Sequence, residues 1–149
     1  MKRSLILLAI LLPALSLAAD HDPLEVPITF TQDGLVIVHI KINGQPSAVL
    51  LDTAATTAVD ARLGLAESES RMVETTTAFA RSSRRLSYTS PTFDLGGSYL
   101  AGYPAMVRNM QSFDRLCGQR ISGSLGYDVL RRWKSVTIDY TRRVLVLQK

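Results

Sequence analysis

The sequence predicts a mainly β fold with one short helix near its C-terminus, arranged as a barrel or a packed pair of small sheets. Three observations point there. Apolar residues alternate with polar ones from Leu35 to Ile42 and again through Val136, Ile138 and Tyr140, the period of half-buried strands. Turn signals separate such runs at short intervals: Asn43-Gly44, Gly96-Gly97 and Thr141-Arg142-Arg143. Only Asp128 to Trp133 has marked helical character, with an acid near its start and arginines near its end, both favourable to the helix dipole.

The first 19 of the 149 residues stand apart from that domain. Lys2 and Arg3 precede an apolar run, Leu5 to Leu17, interrupted by Pro13, and small residues follow at Ser16, Ala18 and Ala19. This is the layout of a secretory signal peptide cut after Ala18 or Ala19. The run is shorter than the roughly 20 residues a membrane-spanning helix needs. The expectation is an exported protein, periplasmic or secreted, with no membrane span after cleavage.

Removing the leader takes two cations with it, so the formal charge falls from +4 to about +2. The arginine pairs 84–85, 131–132 and 142–143 are scattered and have no interleaved aromatics, which argues for solvated surface and against nucleic acid. Cys117 is the one cysteine and has no internal disulfide partner. His21 and His39 are the two histidines, too few without a cysteine cluster to suggest a metal site, and His39 falls in a strand pattern.

Along the chain, residues 20–34 contain Pro23 and Pro27 and suggest an extended N-terminal arm, with one domain over residues 35–149. The strand from Leu35 to Ile42 puts Val36, Val38, Ile40 and Ile42 on one face. Asn43-Gly44 is a strong hairpin signal leading to a second apolar run, Ala48 to Leu51. Ala61 to Ala66 fits one helical turn. Residues 67–90 are polar, with β-prone runs around Arg81-Ser82-Ser83-Arg84-Arg85, and suggest a long exposed hairpin. Phe93 to Leu95 and Tyr99 to Val107 suggest a further strand pair, while residues 109–120 read as polar and irregular.

The chemistry centres on Val49-Leu50-Leu51-Asp52-Thr53-Ala54-Ala55. Apolar strand residues deliver a carboxylate to the end of a buried strand, followed by a hydroxyl and two small side chains. Two such carboxylates facing each other across a water share one proton, because like charges that close do not both ionise. One then acts as base toward the water while the other donates to a peptide carbonyl.

The chain here resembles the retropepsin-type aspartic proteases, in particular bacterial exported members with one motif per chain. Four parts carry the resemblance, in order: the strand–turn–strand ending in Asp52-Thr53-Ala54-Ala55, the polar hairpin at 72–90, the Leu95-Gly96-Gly97 turn leading to Val107, and Gly123-Ser124-Leu125-Gly126-Tyr127-Asp128-Val129-Leu130 followed by Val136-Thr137-Ile138-Asp139-Tyr140. The resemblance implies a closed-barrel acid-protease fold and a peptide or protein substrate. It makes Asp52 the catalytic carboxylate, with Thr53, Ala54, Leu125 and Gly126 supporting the site, Ala55 lining the substrate floor, and the hairpin serving as a flap. It implies no metal and no other cofactor.

Ala54 stands where the family usually has glycine, and Thr56-Thr57 and Gly126-Tyr127-Asp128 lack the acid–arginine pair of viral members. Asp94 lacks a following hydroxyl, and both it and Asp139 read as structural. One motif per chain implies a homodimer with two copies of Asp52 at its axis. The rival reading is an inactive domain of this fold that binds peptide or a partner protein in the cell envelope.

Overall fold

A computed structural model describes residues 22–76 and 81–149. The expected leader and the tip of the polar hairpin, residues 77–80, lie outside the described residues. The chain forms β1 (Leu24–Phe30), β2 (Val36–Ile42), β3 (Gln45–Asp52), β4 (Ala58–Asp60), β5 (Glu69–Thr76), β6 (Arg81–Thr89), β7 (Phe93–Leu95), β8 (Ser98–Leu100) and β9 (Ala105–Arg108). Then come helix α1 (Gln111–Cys117), β10 (Gly123–Gly126), helix α2 (Tyr127–Leu130), β11 (Ser135–Asp139) and β12 (Val144–Gln148).

The β2–β3 hairpin forms where its turn residues allow. Asn43 (φ 49°) and Gly44 (φ 79°) both take positive φ, the two-residue turn whose twist matches the flanking strands. Val38, Ile40 and Ile42 enter the main core on the expected face. Ile37, on the other face, is buried as well, beneath α1. Polarity alone suggested that residues 109–120 were irregular. They form a helix because Met110 and Phe113 dock with Ile37, Leu50 and Ile121 in a second, smaller core. Cys117 sits half-buried in that cluster as a free thiol.

The strands pair in the order β11-β12-β1-β2-β3-β10-β4-β9-β6-β5, with β7 joined to β2 and β8 to β7. The path is open: β11 and β5 end it as edges, which corrects the expected closed barrel to an open, folded sheet. The proline-containing arm is strand β1, paired with β12 on one side and β2 on the other. The polar hairpin is present as β5 and β6, paired from Glu69–Tyr88 to Thr76–Arg81.

One topological feature positions the site. β10 runs parallel to β3 and antiparallel to β4, so it lies threaded between two strands that follow each other in sequence. The connection 53–57 must therefore cross over the end of β10. β3 is buried on both faces at this point, with Val49 in the main core and Leu50 in the second. Each such side chain contributes roughly 2 kcal/mol of burial, and together they make a stiff base for the residue that follows.

Candidate active site

Asp52 ends β3 opposite Gly126 in the parallel register, and Leu51 lies opposite Leu125. Leu125 is fully buried beneath the site. Asp52 is half-buried as a residue, and its carboxylate accepts an exposed hydrogen bond from Ala54 N at 3.0 Å, which folds the chain into a turn immediately after the strand. Thr53 and Ala54 are exposed and Ala55 is half-buried, so the turn presents the motif on an open face of the single chain. Among the described non-glycine residues only Asn43 and Arg143 have positive φ. Ala54 thus sits in ordinary backbone, and its methyl group introduces no conformational strain.

Gly126 is required by the crossing. A Cβ at this position would lie 2.4 Å from Thr57 N and 2.5 Å from Ala55 O, both backbone atoms. The missing side chain lets the motif loop descend onto the end of β10, where Tyr127 N donates to Ala55 O at 2.9 Å. The sequence-predicted residues Asp52, Thr53, Ala54, Ala55, Leu125 and Gly126 are therefore brought together on two adjacent strand ends.

Sequence reasoning missed three residues of the same assembly. Asp128 Oδ1 accepts from both Thr57 N and Thr57 Oγ1 at 2.8 Å, and Asp128 Oδ2 accepts from the Tyr103 hydroxyl at 3.2 Å. Thr57 Oγ1 in turn accepts from Gly126 N at 3.0 Å, and Thr57 O accepts from Met106 N at 3.0 Å. One carboxylate thus ties down the far end of the motif loop. Burial and the neighbouring Asp128 charge push the Tyr103 phenol above its usual pKa, which keeps it a donor at working pH. The acid two residues after Gly126 was visible, but its position at a helix start suggested only a dipole role.

Other candidate acids have structural duties. Asp94 accepts from Gly97 N at 2.7 Å and closes the β7–β8 turn. Asp139 accepts from Thr141 N and Arg142 N and closes the β11–β12 turn. His39 shares a hydrogen bond with Thr29 Oγ1 at 3.0 Å within the sheet. Among the described residues no group of three or more His, Cys, Asp or Glu lies close enough together to hold a metal ion. No described helix is long and apolar enough to cross a membrane. A hollow of about 400 Å³ lies beside the motif, walled by Leu51, Thr53, Tyr127, Trp133, Val136 and Ile138. A larger one, about 580 Å³, lies against α1 and touches none of the motif residues.

Comparison with known proteins agrees with this geometry. Residues 38–129, more than half of the chain, match the family model described as aspartyl protease. None of the curated protein sequences matches the chain. Among solved structures, a retropepsin-like aspartic protease from Rickettsia conorii superposes with a TM-score of 0.53 at 19% sequence identity, over 85% of this chain and 91% of that one. With that pattern running through the motif strand, the crossing loop and β10, the chain has the retropepsin-like fold and belongs to the aspartyl protease family.

Proposed function

We propose that the protein is an exported aspartic endopeptidase in which two copies of Asp52, one from each chain of a homodimer, activate water against a peptide bond. The observation that carries this reading is the presentation of Asp52-Thr53-Ala54. A rigid, doubly buried strand ends in a carboxylate whose turn is exposed in the single chain and held from behind by Gly126 and Asp128. Strand β11, one of the two open edges of the sheet, and the hollow beside Thr53 lie on the same flank and offer a partner both unpaired backbone and apolar surface.

In that arrangement the two carboxylates hold one proton between them. The ionised one takes a proton from the bound water as its oxygen adds to the carbonyl carbon, while the protonated one donates to the carbonyl oxygen. The resulting tetrahedral diol collapses, the C–N bond breaks, and the leaving nitrogen takes up a proton from the pair. No metal or organic group enters any step. The β5–β6 hairpin covers the substrate, and Ala55 leaves room for its backbone.

The test compares the chain from Asp20 with its Asp52→Asn variant on a diverse peptide mixture between about pH 3 and 7, with cleaved bonds read by mass spectrometry. The variant, folded to the same extent by circular dichroism, is expected to lose cleavage by about a thousandfold or more. Cleavage that survives in the variant would sink the carboxylate mechanism.

A further inference from the structure

We propose that the fork between β6 and β9 binds an extended, acidic segment of the peptide substrate. β6 is paired with β5 from Arg81 to Tyr88 but meets β9 only at Tyr88–Met106 and Thr89–Ala105. β9 continues to Arg108 paired on its other side with β4. Beyond Met106 the two strands therefore diverge, and each turns an unpaired backbone edge toward the gap. The gap is a hollow of about 400 Å³ walled by Arg85, Leu86 and Ser87 on one side and Val107, Arg108 and Asn109 on the other. Asn109 also borders a second hollow, the one of about 580 Å³ against α1, which carries Arg115.

The charged side chains lining the β6–β9 hollow, Arg85 and Arg108, are both cations. Among the described residues no carboxylate lies within 4 Å of the guanidinium of Arg85, Arg108 or Arg115. Asp114, which lines the hollow against α1, is occupied by Arg62 and by the Ile121 amide. Open strand edges pair with the main chain of an extended peptide, and side chains two residues apart then point the same way. Guanidinium groups along such a path select carboxylates, which accept their paired donors in a planar fork. Alternating acidic residues in an extended strand match both features at once.

As a route for substrate this rests on the peptidase reading, but the binding itself is measured without cleavage. The full chain from Asp20 carrying Asp52→Asn is titrated with a fluorescein-labelled peptide of alternating glutamate and valine, and with its lysine–valine twin. The glutamate peptide is expected to bind at least tenfold more tightly, and more weakly as salt is raised. Adding Arg85→Glu and Arg108→Glu, both at exposed positions, is expected to remove that preference while leaving the thermal unfolding curve in place. Equal binding of the two peptides, or a preference that survives the double reversal, overturns the proposal. In the active chain, a cleavable peptide should be cut faster with a glutamate–valine extension than with the lysine one; equal rates overturn the substrate route. Charge-selective binding without cleavage of any peptide upholds the fork and removes only the peptidase reading.

Discussion

Asp128 draws donors from two distant segments: the amide and hydroxyl of Thr57 at the end of the motif loop, and the hydroxyl of Tyr103 between β8 and β9. Replacing it with leucine leaves all three without their acceptor, a cost of roughly 2–3 kcal/mol. Asparagine keeps an oxygen for Thr57, and its amide donates to a Tyr103 hydroxyl that has rotated to accept. Asp128→Asn is therefore expected to stay within about 1 kcal/mol of the parent in urea unfolding, and Asp128→Leu to fall well below it. If the loop positions Asp52, the leucine variant also loses kcat with little change in KM, measured where it is still folded. A purely structural contact would lower the folded fraction and leave kcat per folded molecule unchanged. Asp52 and Gly126 were legible in the sequence because a motif and a glycine turn are written in consecutive residues. Thr57 and Asp128 were not, because their bond joins positions 71 apart.

The short helix α1 owes its place to a charged clamp as well as to its apolar contacts. Asp60, buried at the end of β4, accepts from Arg62 N and Arg62 Nε, and the Arg62 guanidinium forks onto both carboxylate oxygens of Asp114 in α1. Asp114 also accepts from Ile121 N at 2.8 Å, just before β10. The hydrogen bond from Arg62, and then the Ile121 amide, hold the Asp114 carboxyl down to about 2 from an ordinary 3.8. A folded-state value below the unfolded one means the stabilisation is complete above about pH 4 and fades as pH falls toward 2. Melting temperatures measured from pH 5 to 2 should therefore fall for the parent chain. Asp114→Asn should start lower at pH 5 and fall less steeply. Parallel curves would show that acid loss originates elsewhere. The sequence showed acids and arginines in this region but not their pairing, since Asp60 and Asp114 belong to elements joined only by the folded chain.

Across the whole molecule, the edge strand β11, the exposed motif turn and Tyr127, 47% exposed, mark one flank of the chain. In the proposed homodimer the second copy docks on this flank, with the two Asp52 carboxylates at its axis. Under reducing conditions, which remove any bridge through Cys117, the chain is expected to sediment as a dimer. Tyr127→Glu puts a charge on that flank while keeping the backbone bonds of α2. It should weaken the dimer by about tenfold or more and lower activity in a way that recovers as protein concentration rises. Full activity at concentrations where only monomer is present would exclude the two-chain site.

The sequence by itself determined the β character, the β2–β3 hairpin, the placement of a lone Asp-Thr motif at a strand end and the glycine turn that meets it. All of these follow from side-chain alternation and turn chemistry within a few neighbouring residues. Only the tertiary structure decided that β10 threads between β3 and β4, that the sheet stays open, that α1 forms over Ile37 and Leu50, and that Asp128 holds the motif loop. Each of these depends on contacts between residues far apart in the chain, whose geometry is set by which surfaces can be buried together and which donors then need a partner.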